Sequence, residues 1–466
     1  MVRTVAISCS LALLLAGCKI GPTYQRPEVA IPDSFRGQTE PPGSDSVGDL
    51  GWWEVYHDPV LGELIASALK QNFDVKIAAA RVAEARALVG VSRLAQLPQI
   101  GVNANGQKAR TLVLGNYGTA TVYSAVAQAS FELDLWGRLA SLSDEARANL
   151  LATEFARDAV KASLVGDVAT AYFNLLALDE QYRVTERTIG TREKFLELTR
   201  AQYRRGVVSG LDVDRADASL AGARAALPDL GRLIEQTENQ LQILLGQNPG
   251  PIARKMLDLD ALPIPPAVPS GLPSALLERR PDLRQAESQL VAATADVRAT
   301  KAALFPTISL TGNYGFASLE LGKLFTGTTA VWSYGLSALQ PILDAQRNGY
   351  RVDAAQARRD QATLQYQSAV VSAFRDVADA LAARRAAADA LTEQTRQVRS
   401  LEAASQRVLK RYGIGFSSYF EVIDADSNLF TAELLLVQAY RNAQVAVVQL
   451  YKALGGGWQE AASPTP

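Results

Sequence analysis

Cysteine is almost missing from this chain of 466 residues: there are two, Cys9 and Cys18, both within the first 18 positions. Beyond them no thiol remains for a disulfide or a thiolate metal site, so stability has to come from packing. Histidine occurs once, as His57, and methionine twice, as Met1 and Met256. That leaves too few soft ligands for a Cu(I) or Ag(I) relay. Catalytic signatures are also lacking. Residues 206–210 read GVVSG rather than a nucleophile elbow, and Gly322-Lys323 has no upstream glycine of a phosphate loop. His57 stands in Tyr56-His57-Asp58-Pro59 at a helix start, where a local hydrogen-bonding role fits better than a catalytic base. These absences argue against an enzyme. The net charge of -1 lacks the cationic excess that nucleic-acid binding needs. After the first residues no apolar run reaches the ~18 positions of a spanning helix, so any membrane crossing must be made of β-strands.

What is present begins with MVRTVAISCSLALLLAGC: one basic residue, an apolar run, then small residues before Cys18. This is the pattern of a removed secretory leader, residues 1–17. Leu15-Ala16-Gly17-Cys18 resembles a bacterial lipobox, which makes Cys18 the lipidated first residue of the mature chain. By the same resemblance, Lys19 in place of an aspartate directs the lipoprotein to the outer membrane. No cofactor is expected beyond that covalent lipid.

Residues 18–58 start as a Pro-, Gly- and Ser-rich leader segment with no repeating apolar face. The body reads as two copies of one programme, residues 59–245 and 276–455, joined by a Pro-rich connector, 246–275, and followed by a tail, 456–466. In the first copy a helix is predicted from about Pro59 to Gln96, opened by Asp58-Pro59. The period then switches to two. Tyr123, Ala125, Ala127, Ala129, Phe131, Leu133 and Leu135 alternate with Ser124, Gln128, Ser130, Glu132 and Asp134. With Ile100, Val102 and Ala104 before it, across a loop containing Gly115-Asn116-Tyr117-Gly118, this predicts a hairpin. Its strands match the roughly 9–11 residues that cross a bilayer. A helix of about 68 residues, on the order of 100 Å, follows to Gly206. A return helix from about Leu211 to Leu245 is expected to kink or unwind at Pro228. The second copy predicts strands at Thr307–Phe316 and Ala330–Leu339, a long helix from about Arg347 to Arg411, and a second return helix.

The turns between long and return helices repeat most closely. A shift of 209 lays Tyr203, Gly206, Ser209, Asp212, Val213, Ala216 and Leu220 on Tyr412, Gly415, Ser418, Glu421, Val422, Ala425 and Leu429. A duplication this long is not a short-period solenoid. Along the second return helix Val422, Leu429, Leu436, Ala443 and Leu450 occupy heptad a, and Ala425, Ala432, Ala439, Ala446 and Ala453 occupy d. The first copy places Val213, Leu220, Leu227, Ile234 and Leu241 at a, and Ala216, Ala223, Leu230, Thr237 and Leu244 at d. Five heptads predict coiled-coil packing. Four strands per chain cannot close a barrel, and an open edge in lipid leaves backbone groups unpaired. Further copies must complete it, and a conducting pore favours twelve strands from three chains over eight from two.

The stretches CKIGPTYQRPEVAIPDSF, GWWEVYHDPVLGELIASALKQNFDV and GLPSALLERRPDLRQAE, with the two turn sequences, resemble the outer-membrane efflux lipoproteins of the TolC family over the whole mature chain. The resemblance implies a mixed α and β fold: a membrane β-barrel of four strands per chain, twelve in a homotrimer, continued by a long α-helical coiled-coil barrel in the periplasm. A belt would form from the N-terminal, connector and C-terminal segments, and the short helices at 59–96 and 211–245 would stack end to end. Partners would be a periplasmic adaptor, an inner-membrane transporter of the RND type and outer-membrane lipid. Carried over to this sequence, Phe420, Glu421 and Asp424 would form the periplasmic gate ring, and Gly206, Val207, Gly415 and Phe416 the adaptor-docking turns. Ser417 stands where some relatives carry a latching arginine. Two other readings fit parts of the chain: a polypeptide duct of the type I secretion kind, and a lipid-anchored coiled-coil scaffold without a pore.

Overall fold

The computed structural model describes residues 20–38, 46–56, 58–113, 116–254, 271–342 and 344–458. The leader 1–17, Cys18, His57, Met256 and most of the tail lie outside the described residues, and with them the lipidation site. The elements are α1 (Trp52–Tyr56), α2 (Pro59–Gln71), α3 (Phe73–Leu94), β1 (Gln99–Val113), β2 (Asn116–Leu133), α4 (Arg138–Arg204), α5 (Gly210–Leu244), α6 (Leu276–Arg279), α7 (Pro281–Ala302), β3 (Thr307–Ser318), β4 (Ala330–Leu339), α8 (Ala345–Gly413) and α9 (Tyr419–Ala453). The order short helix, hairpin, long helix, return helix thus occurs twice. The chain divides into two compact units, one of residues 1–28, 80–154 and 285–368, the other of 29–79, 155–284 and 369–466.

The first unit holds one antiparallel sheet in the order β1-β2-β3-β4. The second hairpin falls where period two predicts it. The first is longer than predicted: Val113 pairs with Asn116, so Asn116, Tyr117 and Gly118 belong to β2 rather than to a loop. Apolar alternation stops near Tyr123 while the ladder continues, because the outer positions carry Lys108, Arg110, Thr119 and Thr121 instead of oily side chains.

Register sorts the side chains into two faces. One carries Ile100, Val102 and Ala104, then Tyr123 to Leu133 at odd positions, then Ile308, Leu310, Tyr314 and Phe316, then Trp332, Tyr334 and Leu336. The other carries Asn103, Asn105, Gln107, Ser124, Gln128, Ser130, Ser309, Thr311, Asn313, Ser333 and Ser337. Both edges, β1 and β4, lack a second strand partner among the described residues, and every residue of β4 is exposed. At the strand–helix junction Asp134 accepts from Leu139 N and Ala140 N at 3.0 and 2.7 Å, capping α4. Trp136 stacks on Phe305 at 5.0 Å and donates from Nε1 to Pro306 O.

The second unit is helical, and two expectations need correction there. The single helix from 59 to 96 is two helices, broken at Asn72 with ψ 137°. The Asn72 carboxamide satisfies the new ends: Oδ1 accepts from Asp74 N and Val75 N, and Nδ2 donates to Leu244 O at the end of α5. It is therefore α3, starting at Phe73, that meets α5 end to end. Arg280 makes the equivalent joint in the second half, donating to Ala453 O at the end of α9 and pairing with Asp282 and Asp376. Gly246 lies so close to the Asn72 joint that a Cβ there would come within 2.5 Å of Gln71 O. The second concerns Pro228, where a kink or local unwinding is expected: α5 runs on without unwinding. The residue is exposed, as is Arg224, so water can satisfy the carbonyl freed four residues earlier.

In α9 every heptad a and d position except Ala425 and Leu429 is buried. From Glu433 onward the buried face also takes in Val437, Tyr440, Val447 and Val448, a wider stripe than a two-helix seam. Leu391 and Val398 of α8 pack on Ala432, Leu436, Ala439, Tyr440 and Ala443. Small side chains at d let the two helices approach closely. No helix among the described residues is long and apolar enough to cross a membrane.

Candidate functional site

The two turns predicted as docking sites have one construction. Gly206 and Gly415 have φ of 74° and 80°, the left-handed region where an L side chain costs roughly 1–2 kcal/mol. Each ends its long helix with paired bonds: Gly206 N to Tyr203 O and Val207 N to Gln202 O, Gly415 N to Tyr412 O and Phe416 N to Arg411 O. Val207 and Phe416 follow as the residue after the glycine, 69% and 73% exposed. Each turn thus presents an apolar side chain on a fixed backbone.

The return helices then start with capping boxes. Ser209 N donates to Asp212 Oδ2 at 3.1 Å, and Ser418 N to Glu421 Oε1 at 3.1 Å. The Ser418 backbone N–H, with the Ser418 hydroxyl, holds the Glu421 carboxyl below the usual glutamate range. Glu421 therefore has a local role at the helix start. Asp424 accepts from Asn428 Nδ2 at 3.1 Å, and Phe420 lies under the Arg215 guanidinium at 5.5 Å. Phe420, Glu421 and Asp424 are all exposed. Ser417 leaves no arginine at its position, but Arg411 reaches the same turn and donates to Phe416 O at 3.1 Å.

Sequence reasoning missed the links between the helix pairs α4–α5 and α8–α9 just behind these turns. Arg192 on α4 donates to Asp426 Oδ2 on α9 at 2.8 Å and to Ser219 O on α5 at 2.8 Å, with its guanidinium 5.2 Å from the Phe430 ring centroid. Arg187 pairs with Glu433 at 2.7 Å, and Tyr412 OH donates to Gln202 Oε1 at 2.7 Å. Burial raises the Glu433 carboxyl above its ordinary value, against the opposing pull of Arg187. Leu196, Ala216, Leu220, Tyr419 and Val422 fill the space between. One signal was present: Asp426 occupies a helix face with Tyr419 and Val422, and a carboxylate there needs a cation.

A sheet with one oily and one largely polar face, capped by Asp134 where β2 leads into α4, is the strand pattern of an outer-membrane channel protein. The chain belongs to the Outer membrane efflux protein family, which matches residues 64–247 and 272–456. It is 34% identical to the toluene efflux pump outer membrane protein TtgC of Pseudomonas putida, covering 99% of this chain and 97% of the relative. It is 35% identical to the cation efflux system protein CusC of Escherichia coli, covering 97% and 98%. Among solved structures, the outer-membrane channel OprN superposes with a TM-score of 0.88 at 29% identity, covering 95% of this chain and 100% of that one.

Proposed function

We propose that three copies of this chain form a passive outer-membrane duct for small solutes, anchored by lipid at Cys18 and loaded by a periplasmic adaptor and an inner-membrane transporter of the RND type. The sheet carries the reading: one face is apolar throughout its bilayer-width stretch, and both edges have unpaired backbone groups that only another sheet can satisfy in lipid. Twelve strands from three chains leave a polar-lined lumen, where eight would be filled by side chains. The helices continue the duct into the periplasm, and the repeated element order reflects an internal duplication.

Phe420, Glu421 and Asp424 ring the periplasmic aperture in this assembly, and Gly206-Val207 with Gly415-Phe416 dock the adaptor. Three copies of the carboxylates at one constriction attract cations and respond to protons or divalent ions. Relatives of similar identity are named for toluene and for cation efflux. The scarcity of His, Cys and Met favours organic solutes here.

Imaging of the detergent-extracted particle tests the assembly: a trimer with a long hollow stem supports it, and a monomer or solid rod rejects it. Conductance in planar bilayers tests the gate. Asp424→Ala removes the dependence of the open state on protons or divalent ions; unchanged dependence rejects the ring.

A further inference from the structure

The outward face of β1 does not end with its apolar residues. Residues 100, 102, 104, 106, 108 and 110 share one side of the strand, so Lys108 and Arg110 continue the side that carries Ile100, Val102 and Ala104. Opposite them stand Thr121 and Thr119, two and four residues beyond Tyr123. The apolar stretch of β2 from Tyr123 to Leu133 runs ten steps, about 34 Å along the strand, or about 26 Å of height at a tilt near 40°. That equals the apolar band of an outer-membrane barrel. Tyr123 marks its upper rim, leaning over Gly106, where a Cβ would be 3.2 Å from the ring.

Lys108 then sits about 5 Å above the hydrocarbon and Arg110 about 10 Å above it, spanning the headgroup layer. Both are exposed, and no ion pair with a carboxylate is found for either among the described residues. The Arg110 guanidinium lies 5.8 Å from the Tyr117 ring centroid, which fixes its place on this face. Val113 and Asn116 stand at the ends of β1 and β2 farthest along the strands from α3 and α4, and this end of the hairpin faces the exterior when the helices are periplasmic.

We propose that Lys108 and Arg110 bind the phosphate groups of a bis-phosphorylated glycolipid in the outer leaflet of the outer membrane. The proposal rests on the barrel reading above. Two cations held at headgroup height, neither paired with a carboxylate among the described residues, complement paired phosphates, and both side chains are long enough to reach along the headgroup layer.

The test uses the full-length lipoprotein reconstituted into phosphatidylcholine vesicles doped with bis-phosphorylated lipid A or, in parallel, with phosphatidylglycerol. After mild detergent extraction, lipid retained per protein is counted for wild type, for Lys108→Gln with Arg110→Gln, and for the charge-matched control Arg399→Gln with Arg407→Gln, both exposed on α8. Wild type and control are expected to retain lipid A on the order of tenfold better than the double variant, and better than they retain phosphatidylglycerol. Equal retention of lipid A by wild type and double variant, with normal insertion, overturns the proposal alone and leaves these cations as guards of an edge strand. Equal retention of the two lipids by wild type overturns the choice of glycolipid. Failure of every form to insert overturns the barrel reading and the proposal with it.

Discussion

The two return helices α5 and α9 have the same length, the same capping box and the same heptad register, yet they are buried differently. In α9 the buried face includes Val422, Ala432, Leu436, Val437, Ala443, Val447 and Leu450; in α5 it is reduced to Ala216, Leu220, Ala223, Leu241 and Gln242. Leu227, Leu230 and Ile234 of α5 are only half-buried where their counterparts Leu436, Ala439 and Ala443 are enclosed. A heptad pattern announces a seam without saying which helix fills it. In α9 the chain fills its own seam; in α5 much of it faces outward, and that explains why Pro228 is tolerated in α5 at the position matching Val437.

The strongest way to break the comparison is to exchange that feature. Val437 is fully buried, and a proline there leaves the buried Glu433 carbonyl without its bond. Val437→Pro is expected to cost about 3 kcal/mol or more, seen as lost helicity and a lower unfolding midpoint, while Pro228→Ala stays within about 1 kcal/mol of wild type. Next, Leu436→Ala empties an enclosed site and should cost about 3 kcal/mol in denaturant unfolding. The matching Leu227→Ala should cost about 1 kcal/mol within the protomer. Equal losses would mean that another copy encloses α5 as α8 encloses α9.

Behind the turns the contrast is between ion pairs. The Arg192–Asp426 side chains are 10% and 23% exposed, against 51% and 59% for Arg200–Asp217. Arg192→Ala is expected to lower protection at the turns by about 2 kcal/mol in hydrogen exchange, and Arg200→Ala by less than about 0.5 kcal/mol. The smallest effect concerns pH. Because the folded state holds the Glu421 carboxyl low, its contribution is present above the unfolded value and is lost as the pH falls through the folded one. Protection of the Tyr419–Glu421 amides should therefore weaken on acidification in wild type, and Glu421→Gln should flatten that dependence.

The long helices and the second hairpin were legible because their periods are sustained and their ends carry glycine, proline or caps. The turn glycines were legible from the repeat. The break at Asn72 was not, since Asn72-Phe73-Asp74 interrupts no apolar stripe and its carboxamide acts on Leu244, far along the chain. The length of the first hairpin was hidden because hydrophobic alternation reports oil, not strand. Arg192–Asp426 was hidden because a pairing across 234 positions leaves no local pattern.

The joints at Asn72 and Arg280 have a consequence of angular phase. An unbroken α-helix drifts ~20° per heptad against a straight seam, so five heptads of α5 or α9 accumulate on the order of 100° unless the helix supercoils. By stopping at Leu244 and restarting at Phe73, the chain can re-aim its apolar side without a twist having to be carried through. At each joint the carboxyl end of one helix meets the amino end of the next, so the negative end of one macrodipole lies against the positive end of the other, with the Asn72 carboxamide or the Arg280 guanidinium between them. Each joint therefore works as an indexing coupling: electrically continuous, and free to choose the angle at which the next helix begins.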